Sequence, residues 1–190
     1  MFNVNWLLND RPLTELEELS LGVLDHLLVG TSSSTLYKAL MGSELGEAIT
    51  GGGLSDELLQ ATFSIGLKGV SEEDVPKAEE LVYSTMKKAA EEGFSADDIA
   101  ASLNTIEFQL REFNTGSFPK YLSFMLGANS QWLYDGSPTS GLKFEKPLAE
   151  LKASIAESGS KIFQDLLTEF FVNNTHRSTV QLTPSKTMEE

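Results

Sequence analysis

Two histidines, His26 and His176, are the residues of this sequence best suited to metal or nucleophilic chemistry, because the chain has no cysteine. A zinc site needs several ligands at set spacings, and neither Val29 nor Gly30, three and four positions after His26, can serve as one. The zinc-peptidase pattern His-x-x-Glu-His and its reverse are both absent. We therefore interpret His26 as a packed or partly exposed helical residue and predict no metal ligand in this chain.

Nucleophilic and phosphate-binding sites are not indicated either. His176 falls in a predicted helix-to-strand loop, where a catalytic triad would need a serine presented on a strained turn, and the sequence has no Gly-x-Ser-x-Gly elbow. Three consecutive glycines at 51–53 are not followed by the Lys and Ser or Thr of a phosphate-binding loop, so we interpret residues 46–53 as a flexible stretch. We predict no catalytic and no cofactor-binding residue.

Carboxylates are clustered at residues 72–74 and 97–98. Both clusters come at the predicted start of a helix, where negative side chains meet the partial positive charge of the helix N-terminus. We therefore interpret these carboxylates as helix-capping residues in preference to calcium ligands or general bases.

Aromatic side chains are concentrated between residues 118 and 134, at Phe118, Tyr121, Phe124, Trp132 and Tyr134. Their helical spacing predicts packing in a core or at an interface. A peptide-binding surface is the alternative that the pattern leaves open.

The composition limits the class of protein. A chain of 190 residues that is 41% apolar is long enough for one core and short for two ordinary domains. Its net charge of −14 argues against binding to a phosphate backbone, so we expect no nucleic-acid partner. The longest apolar stretch, residues 23–29, is interrupted by Asp25 and His26 and is too short to cross a membrane. We also find no targeting segment in this chain.

The pattern of apolar residues predicts strands at residues 2–8, 59–70 and 178–182. In the second of these, Ala61, Phe63, Ile65 and Leu67 alternate with polar residues, which is typical of a half-buried strand. Helices are predicted at 14–29, 35–41, about 71–93, 95–113, 118–134 and 146–172, the last with a possible break at Gly159. Three capping boxes, beginning at residues 14, 71 and 95, support the helix starts.

Eight ordered segments resemble one family. They are 4–8 (VNWLL), 24–28 (LDHLL), 42–48 (GSELGEA), 53–60 (GLSDELLQ), 66–70 (GLKGV), 103–108 (LNTIEF), 114–119 (NTGSFP) and 156–161 (AESGSK). In that order they are similar to the presequence proteases of mitochondria and plastids, members of the pitrilysin-type zinc metallopeptidases, and most similar to plant and algal forms. The resemblance covers nearly the whole chain and ends near Pro184.

The resemblance implies a large enzyme of four related α+β domains, arranged as two halves around a chamber where unfolded targeting peptides are cut. This chain would be the second domain. The family's zinc ligands and catalytic glutamate belong to the first domain, and the assisting arginine and tyrosine belong to the C-terminal half. No residue of this chain matches them, so zinc is implied for the parent enzyme and not for this chain.

The resemblance and the residue patterns together predict an α+β fold of two layers, a mainly antiparallel sheet with helices packed on one face. We expect a single non-catalytic domain at residues 1–184, with 185–190 as a tail or the start of a linker. The expected partners are the remaining domains of the parent peptidase and basic unfolded peptides, with self-association of the isolated chain and no membrane partner. The implied location is the mitochondrial matrix or the plastid stroma.

Two functions are consistent with these observations. The first is a structural domain that walls part of a peptidase chamber and supports the catalytic domain. The alternative is a free-standing module that binds extended basic peptides along a sheet edge without cutting them. An independent hydrolase would need a site that the sequence does not contain.

Overall fold

A four-stranded antiparallel sheet forms one layer of the protein, as seen in a computed structural model that describes residues 1–185. The strands are β1 (Phe2–Leu7), β2 (Ala48–Ser55), β3 (Thr62–Lys68) and β4 (Arg177–Gln181), in the spatial order β2-β3-β1-β4. In β1, Phe2 pairs with Leu67 of β3 on one side and with Gln181 of β4 on the other. The two ends of the described chain therefore meet in the sheet.

The second layer is helical. Its elements are α1 (Glu15–Val29), α2 (Thr35–Gly42), α3 (Val75–Glu92), α4 (Ala96–Glu112), α5 (Lys120–Trp132), α6 (Glu145–Ser158) and α7 (Lys161–Leu167), with a 3₁₀ turn at Ser140–Leu142 and a π-helical turn at Thr168–Val172. Gly159, with a φ of 62°, separates α6 from α7 at the predicted break. The predicted α+β fold is confirmed. Apart from Ser185, the predicted tail 185–190 lies outside the described residues.

Alternating burial shows which face of the sheet the helices cover. Phe2, Val4 and Trp6 of β1 are almost completely buried, whereas the residues between them are only half-buried. The alternation predicted for β3 is confirmed in the same way, because Phe63 and Ile65 are each 1% exposed. Side chains alternate between the two faces of a strand, so the helices pack on a single face.

An aromatic cluster fills the centre of the core. Phe171, placed by the π-helical turn, meets Phe63 edge to face with ring centroids 5.1 Å apart, and Trp6 contacts both rings. Tyr83 of α3 also packs edge to face on Trp6. Edge-to-face contacts of this kind stabilise the packing beyond the burial of area alone.

The predicted capping box is complete at α1, only half formed at α4 and wrong at α3. Thr14 and Glu17 form the full capping box of α1, and the Ser95 hydroxyl accepts a hydrogen bond from the Asp98 amide at the start of α4. At the third site the prediction is wrong. Ser71 closes a separate turn by accepting from the Asp74 amide at 3.2 Å, and α3 begins only at Val75.

The glycine-rich stretch is also not the flexible loop that the sequence predicted. Residues 48–55 form strand β2, which pairs with β3 and contains a bulge between Thr50 and Gly53. Gly51 and Gly53 have φ values of 94° and 66°. Glycine is needed there because these positive φ values are costly for residues with a Cβ, so the run of glycines encodes the bulge.

Candidate functional site

The two histidines lie on different elements and have different contacts. His26 on α1 is half-buried, and its Nδ1 lies 2.9 Å from the Ser102 hydroxyl oxygen of α4. His176 is exposed, and its carbonyl accepts a hydrogen bond from the Leu7 amide at 3.0 Å, which extends the pairing of β1 with β4. Each histidine thus has contacts that connect elements of the fold. Their assignment as purely structural residues stays a prediction.

The glycine run and the first carboxylate cluster make hydrogen bonds and an ion pair within the fold. The Gly52 amide donates to the Ser64 hydroxyl at 2.9 Å across the sheet, and Asp74 accepts from Ser71 and pairs with Lys77 at 2.7 Å. Within residues 1–185, no three His, Cys, Asp or Glu side chains are grouped so that they could hold a metal ion. Among the same residues, no helix combines the length and apolar character needed to cross a bilayer.

The aromatic helix is where the structure departs most from the sequence prediction. None of the residues of α5 is buried, so the prediction of core packing is wrong for this segment. We call the exposed apolar side chains of α5 and its ends the aromatic surface. It comprises Phe118, Tyr121, Phe124, Met125, Leu126, Trp132, Leu133 and Tyr134.

Helix α5, which carries the aromatic surface, is connected to the C-terminal end of α4 by a ring contact and a hydrogen bond. The Phe124 ring stacks on Phe113, with centroids 4.1 Å apart and an interplanar angle of 12°. The Lys120 ammonium donates to the Glu112 carbonyl at 3.2 Å. These contacts fix α5 against the end of α4 without covering its outer side, which leaves the aromatic surface open.

An acidic cavity lies beside the aromatic surface. It has a volume of about 240 Å³ and is lined by Glu18, Asp56, Gln131 and Tyr134, among others. Burial raises the pKa of both carboxyl groups, and the Gln131 side chain donates to Glu18 at 3.1 Å. Neither carboxylate has a salt bridge to Lys, Arg or His within the part of the chain that the structure describes.

The open face of the sheet is different in character. Asn3, Asn5, Thr62 and Ser64 point away from the helices, together with Thr50, whose hydroxyl donates to the Asn3 side-chain oxygen. Neutral amide and hydroxyl groups dominate this face. Such groups bind water well, so this face of the sheet suits contact with solvent and polar ligands more than burial in a dry interface.

Strand β4 forms one edge of the sheet, and all five of its residues are exposed. Its helix-facing side is anchored to α3, because the Arg177 guanidinium lies over the Tyr83 ring at 4.4 Å and the Thr179 hydroxyl donates to Glu79 at 2.5 Å. The strand is therefore well held, while its outer backbone edge lies at the surface. An edge of this kind can pair with an extended peptide.

These features define a helix-covered α+β domain with a polar open sheet face and an uncovered aromatic helix. The family model that matches residues 2–106 is described as the Peptidase M16 inactive domain, and the chain belongs to this family. The prediction that this chain lies outside the catalytic part of a peptidase is confirmed by that description.

The curated relatives support the resemblance to presequence proteases. Presequence protease 1, chloroplastic/mitochondrial, of Arabidopsis thaliana is 56% identical over 97% of this chain, which spans 17% of the Arabidopsis protein. Presequence protease, mitochondrial, of Mus musculus is 33% identical over 96% of the chain, which again spans 17% of its length. This chain therefore corresponds to about one sixth of these relatives.

A solved structure shows the same fold. The inactive peptidase domain of a putative zinc protease from Bordetella parapertussis superimposes with a TM-score of 0.70, covering 97% of this chain and 90% of the Bordetella chain. Its sequence identity is 15%, so the similarity concerns the fold alone. The acidic cavity and the exposure of α5 could not be predicted from sequence, because both depend on how α5 folds against α1 and the end of α4.

Proposed function

We propose that this chain is the non-catalytic domain of a presequence-degrading zinc metalloprotease, in which it walls part of a chamber that encloses unfolded peptides. The observation that carries the proposal is the 56% identity to the Arabidopsis presequence protease along almost the whole chain. The zinc ion and its ligands would then belong to another domain of the parent. The mitochondrial matrix or the plastid stroma is the proposed location, in line with the name of that relative.

Two properties of the domain support a place in the chamber wall. The open sheet face carries neutral polar groups such as Asn3, Asn5 and Ser64, which can exchange hydrogen bonds with water or with a passing peptide backbone. The net charge of −14 favours the accumulation of basic peptides nearby. A wall of this kind confines substrates without binding any single sequence tightly.

A domain replacement tests the proposal. The matched segment of Arabidopsis presequence protease 1 is replaced by this chain, and cleavage of a fluorogenic presequence peptide is measured with and without a zinc chelator. The expected chimera retains chelator-sensitive cleavage within about tenfold of the parent, a loss of about 1.4 kcal/mol or less in transition-state stabilisation.

The matched control is a second chimera that carries the Bordetella inactive domain, which shares the fold but only 15% of the sequence. This control chimera is expected to be at least tenfold less active, because its domain surfaces are not those of a presequence protease. Equal activity of the two chimeras, or none in either, would contradict the proposal.

The exposed edge of β4 favours a second candidate function, a module that binds extended basic peptides. Fluorescence anisotropy of a labelled presequence peptide, titrated with this chain alone, separates the two functions. Micromolar binding favours the module, whereas a confining wall should bind the free peptide far more weakly.

A further inference from the structure

The aromatic surface on α5 is a feature of the molecule that the proposed function leaves unexplained. Tyr121 and Trp132 on α5 are 77% and 63% exposed, and Leu133, directly after the helix, is 78% exposed, with further exposed apolar neighbours. Single exposed apolar residues are common, but a contiguous group of large ones marks an interaction site. Tyrosine and tryptophan are also the residues most enriched among the dominant contacts of protein interfaces.

The charges beside the aromatic surface indicate what kind of partner covers it. The acidic cavity at its edge contains Glu18 and Asp56, and Tyr134 and Gln131 belong to its lining. Asp135 also lines this cavity, so three carboxylates lie within reach of anything that covers the end of α5. A partner that buries them without supplying positive charge would incur a large desolvation cost.

We propose that the aromatic surface is the docking site for another domain of the parent polypeptide, and that this partner presents basic side chains to the acidic cavity. The proposal rests on the proposed function, since it requires a longer parent protein. Relatives such as the Arabidopsis protein have more than four fifths of their length outside the matched segment, so the rest of the polypeptide is available to supply such a partner.

Electrostatics argues against a second copy of this chain as the stable occupant. Two chains that each carry a net charge of −14 repel one another, and the acidic cavity would then face further negative charge. A basic segment in the rest of the polypeptide meets both requirements, because it covers the apolar side chains and neutralises Glu18 and Asp56.

Hydroxyl-radical footprinting tests the docking, since it measures the exposure of Tyr, Trp and Met side chains directly. The modification rates of Tyr121, Met125 and Trp132 are compared between the isolated chain and the Arabidopsis chimera described above. We expect at least a fivefold decrease in the chimera. Trp6, which is 1% exposed in the isolated chain, serves as the internal control and should be protected in both.

Footprinting tests the docking proposal and the cleavage assay tests the proposed function, so each can be contradicted without the other. A chimera that cleaves peptides while Tyr121 and Trp132 react as fast as in the isolated chain overturns the docking proposal and leaves the proposed function intact. An inactive chimera in which these residues are protected supports the docking proposal and contradicts the proposed function.

The basic character of the partner needs a separate variant. In the chimera, Glu18→Gln with Asp56→Asn removes both cavity charges, and Glu57→Gln on the neighbouring exposed side chain is the matched control. Footprinting at increasing urea concentrations gives one midpoint for exposure of Trp132, which reports undocking, and another for Trp6, which reports unfolding of the domain. We expect the double variant to lower only the Trp132 midpoint. An unchanged or raised Trp132 midpoint overturns the basic partner.

Discussion

Asp25 on α1 is hydrogen-bonded to the backbone of Leu54 on β2, whose amide donates to Asp25 Oδ1 at 2.9 Å. This contact joins the helical layer to the strand that contains the glycine bulge. Burial raises the pKa of Asp25, and the hydrogen bond from Leu54 opposes that shift only in part. The carboxylate therefore has a structural role but is held in a place that disfavours its charge.

Replacing Asp25 by asparagine should change how stability depends on pH. A carboxyl group whose pKa is higher in the folded state stabilises the protein at low pH, and this contribution is lost as the pH rises through the folded pKa. Asparagine keeps an oxygen acceptor for Leu54 without a charge. The stability of Asp25→Asn relative to wild type should thus be greatest near neutral pH and decrease on acidification, as measured by urea unfolding at several pH values.

Asp25→Ala is the control that separates charge from hydrogen bonding. It removes the acceptor as well, so the Leu54 amide loses its partner at a cost of about 1–3 kcal/mol at neutral pH. A constant difference between Asp25→Asn and wild type across the pH range would contradict the assigned effect of burial.

Gly53→Ala should destabilise the fold. Gly53 has a φ of 66°, and a Cβ there would clash with Asp25 Oδ1. The left-handed backbone alone costs a non-glycine residue about 1–2 kcal/mol, and displacement of Asp25 would weaken its bond to Leu54. The measurement is the urea midpoint of the variant.

Gly52 provides the matched control in the same strand. A Cβ at Gly52 would have no atom within 4 Å, and its φ is not positive. Gly52→Ala should therefore change stability by less than about 0.5 kcal/mol. Equal effects of the two substitutions would show that the bulge does not depend on the conformation of Gly53.

Phe171→Ala should be among the most destabilising substitutions in the core. Phe171 is 2% exposed and contacts both Phe63 and Trp6, so truncation leaves a cavity between the helices and the sheet. Such truncations typically cost about 3–5 kcal/mol. Phe108→Ala on α4, where the side chain is 66% exposed, is the control and should change the urea midpoint little. Similar losses from both would contradict the central place of Phe171.

Local patterns predict the sheet and most helices well because their signals lie within a few residues. The alternation around Phe63 and Ile65 follows from one buried sheet face, and Thr14 with Glu17 forms its box within one turn. The glycines at 51–53 are ambiguous because the same residues favour a flexible loop and a bulged strand. Only the pairing of β2 with β3, set by tertiary contacts, distinguishes the two.

The aromatic helix shows a second reason why the sequence alone does not predict the whole structure. The spacing of aromatic residues such as Phe118, Tyr121 and Trp132 predicts a helix that packs on another surface. The spacing cannot specify whether that surface belongs to the same domain or to another one. In this domain the side chains of α5 are exposed. The sequence has the pattern of a buried helix, but residues 1–185 provide no surface that covers it. Of the two kinds of packing that the spacing predicts, core and interface, the structure is consistent only with the interface.

The isolated chain should self-associate weakly through the aromatic surface, and salt should strengthen the association. Burial of exposed residues such as Tyr121 and Leu133 favours contact between copies, while the net charge of −14 on each copy opposes it. Added salt screens the repulsion and leaves the apolar contact. Sedimentation velocity should therefore show a weight-average mass that rises with protein concentration and rises further with sodium chloride.

Tyr121→Glu with Leu133→Glu should keep the chain monomeric at all salt concentrations, because it places charges near both ends of the aromatic surface. Phe108→Glu, on α4 outside that surface, is the matched control and should associate like wild type. A wild-type chain that stays monomeric at high salt, or a double variant that associates as well as wild type, would contradict the assignment of the aromatic surface as the face that associates. Loss of association in Phe108→Glu alone would indicate that the contact between copies lies on α4.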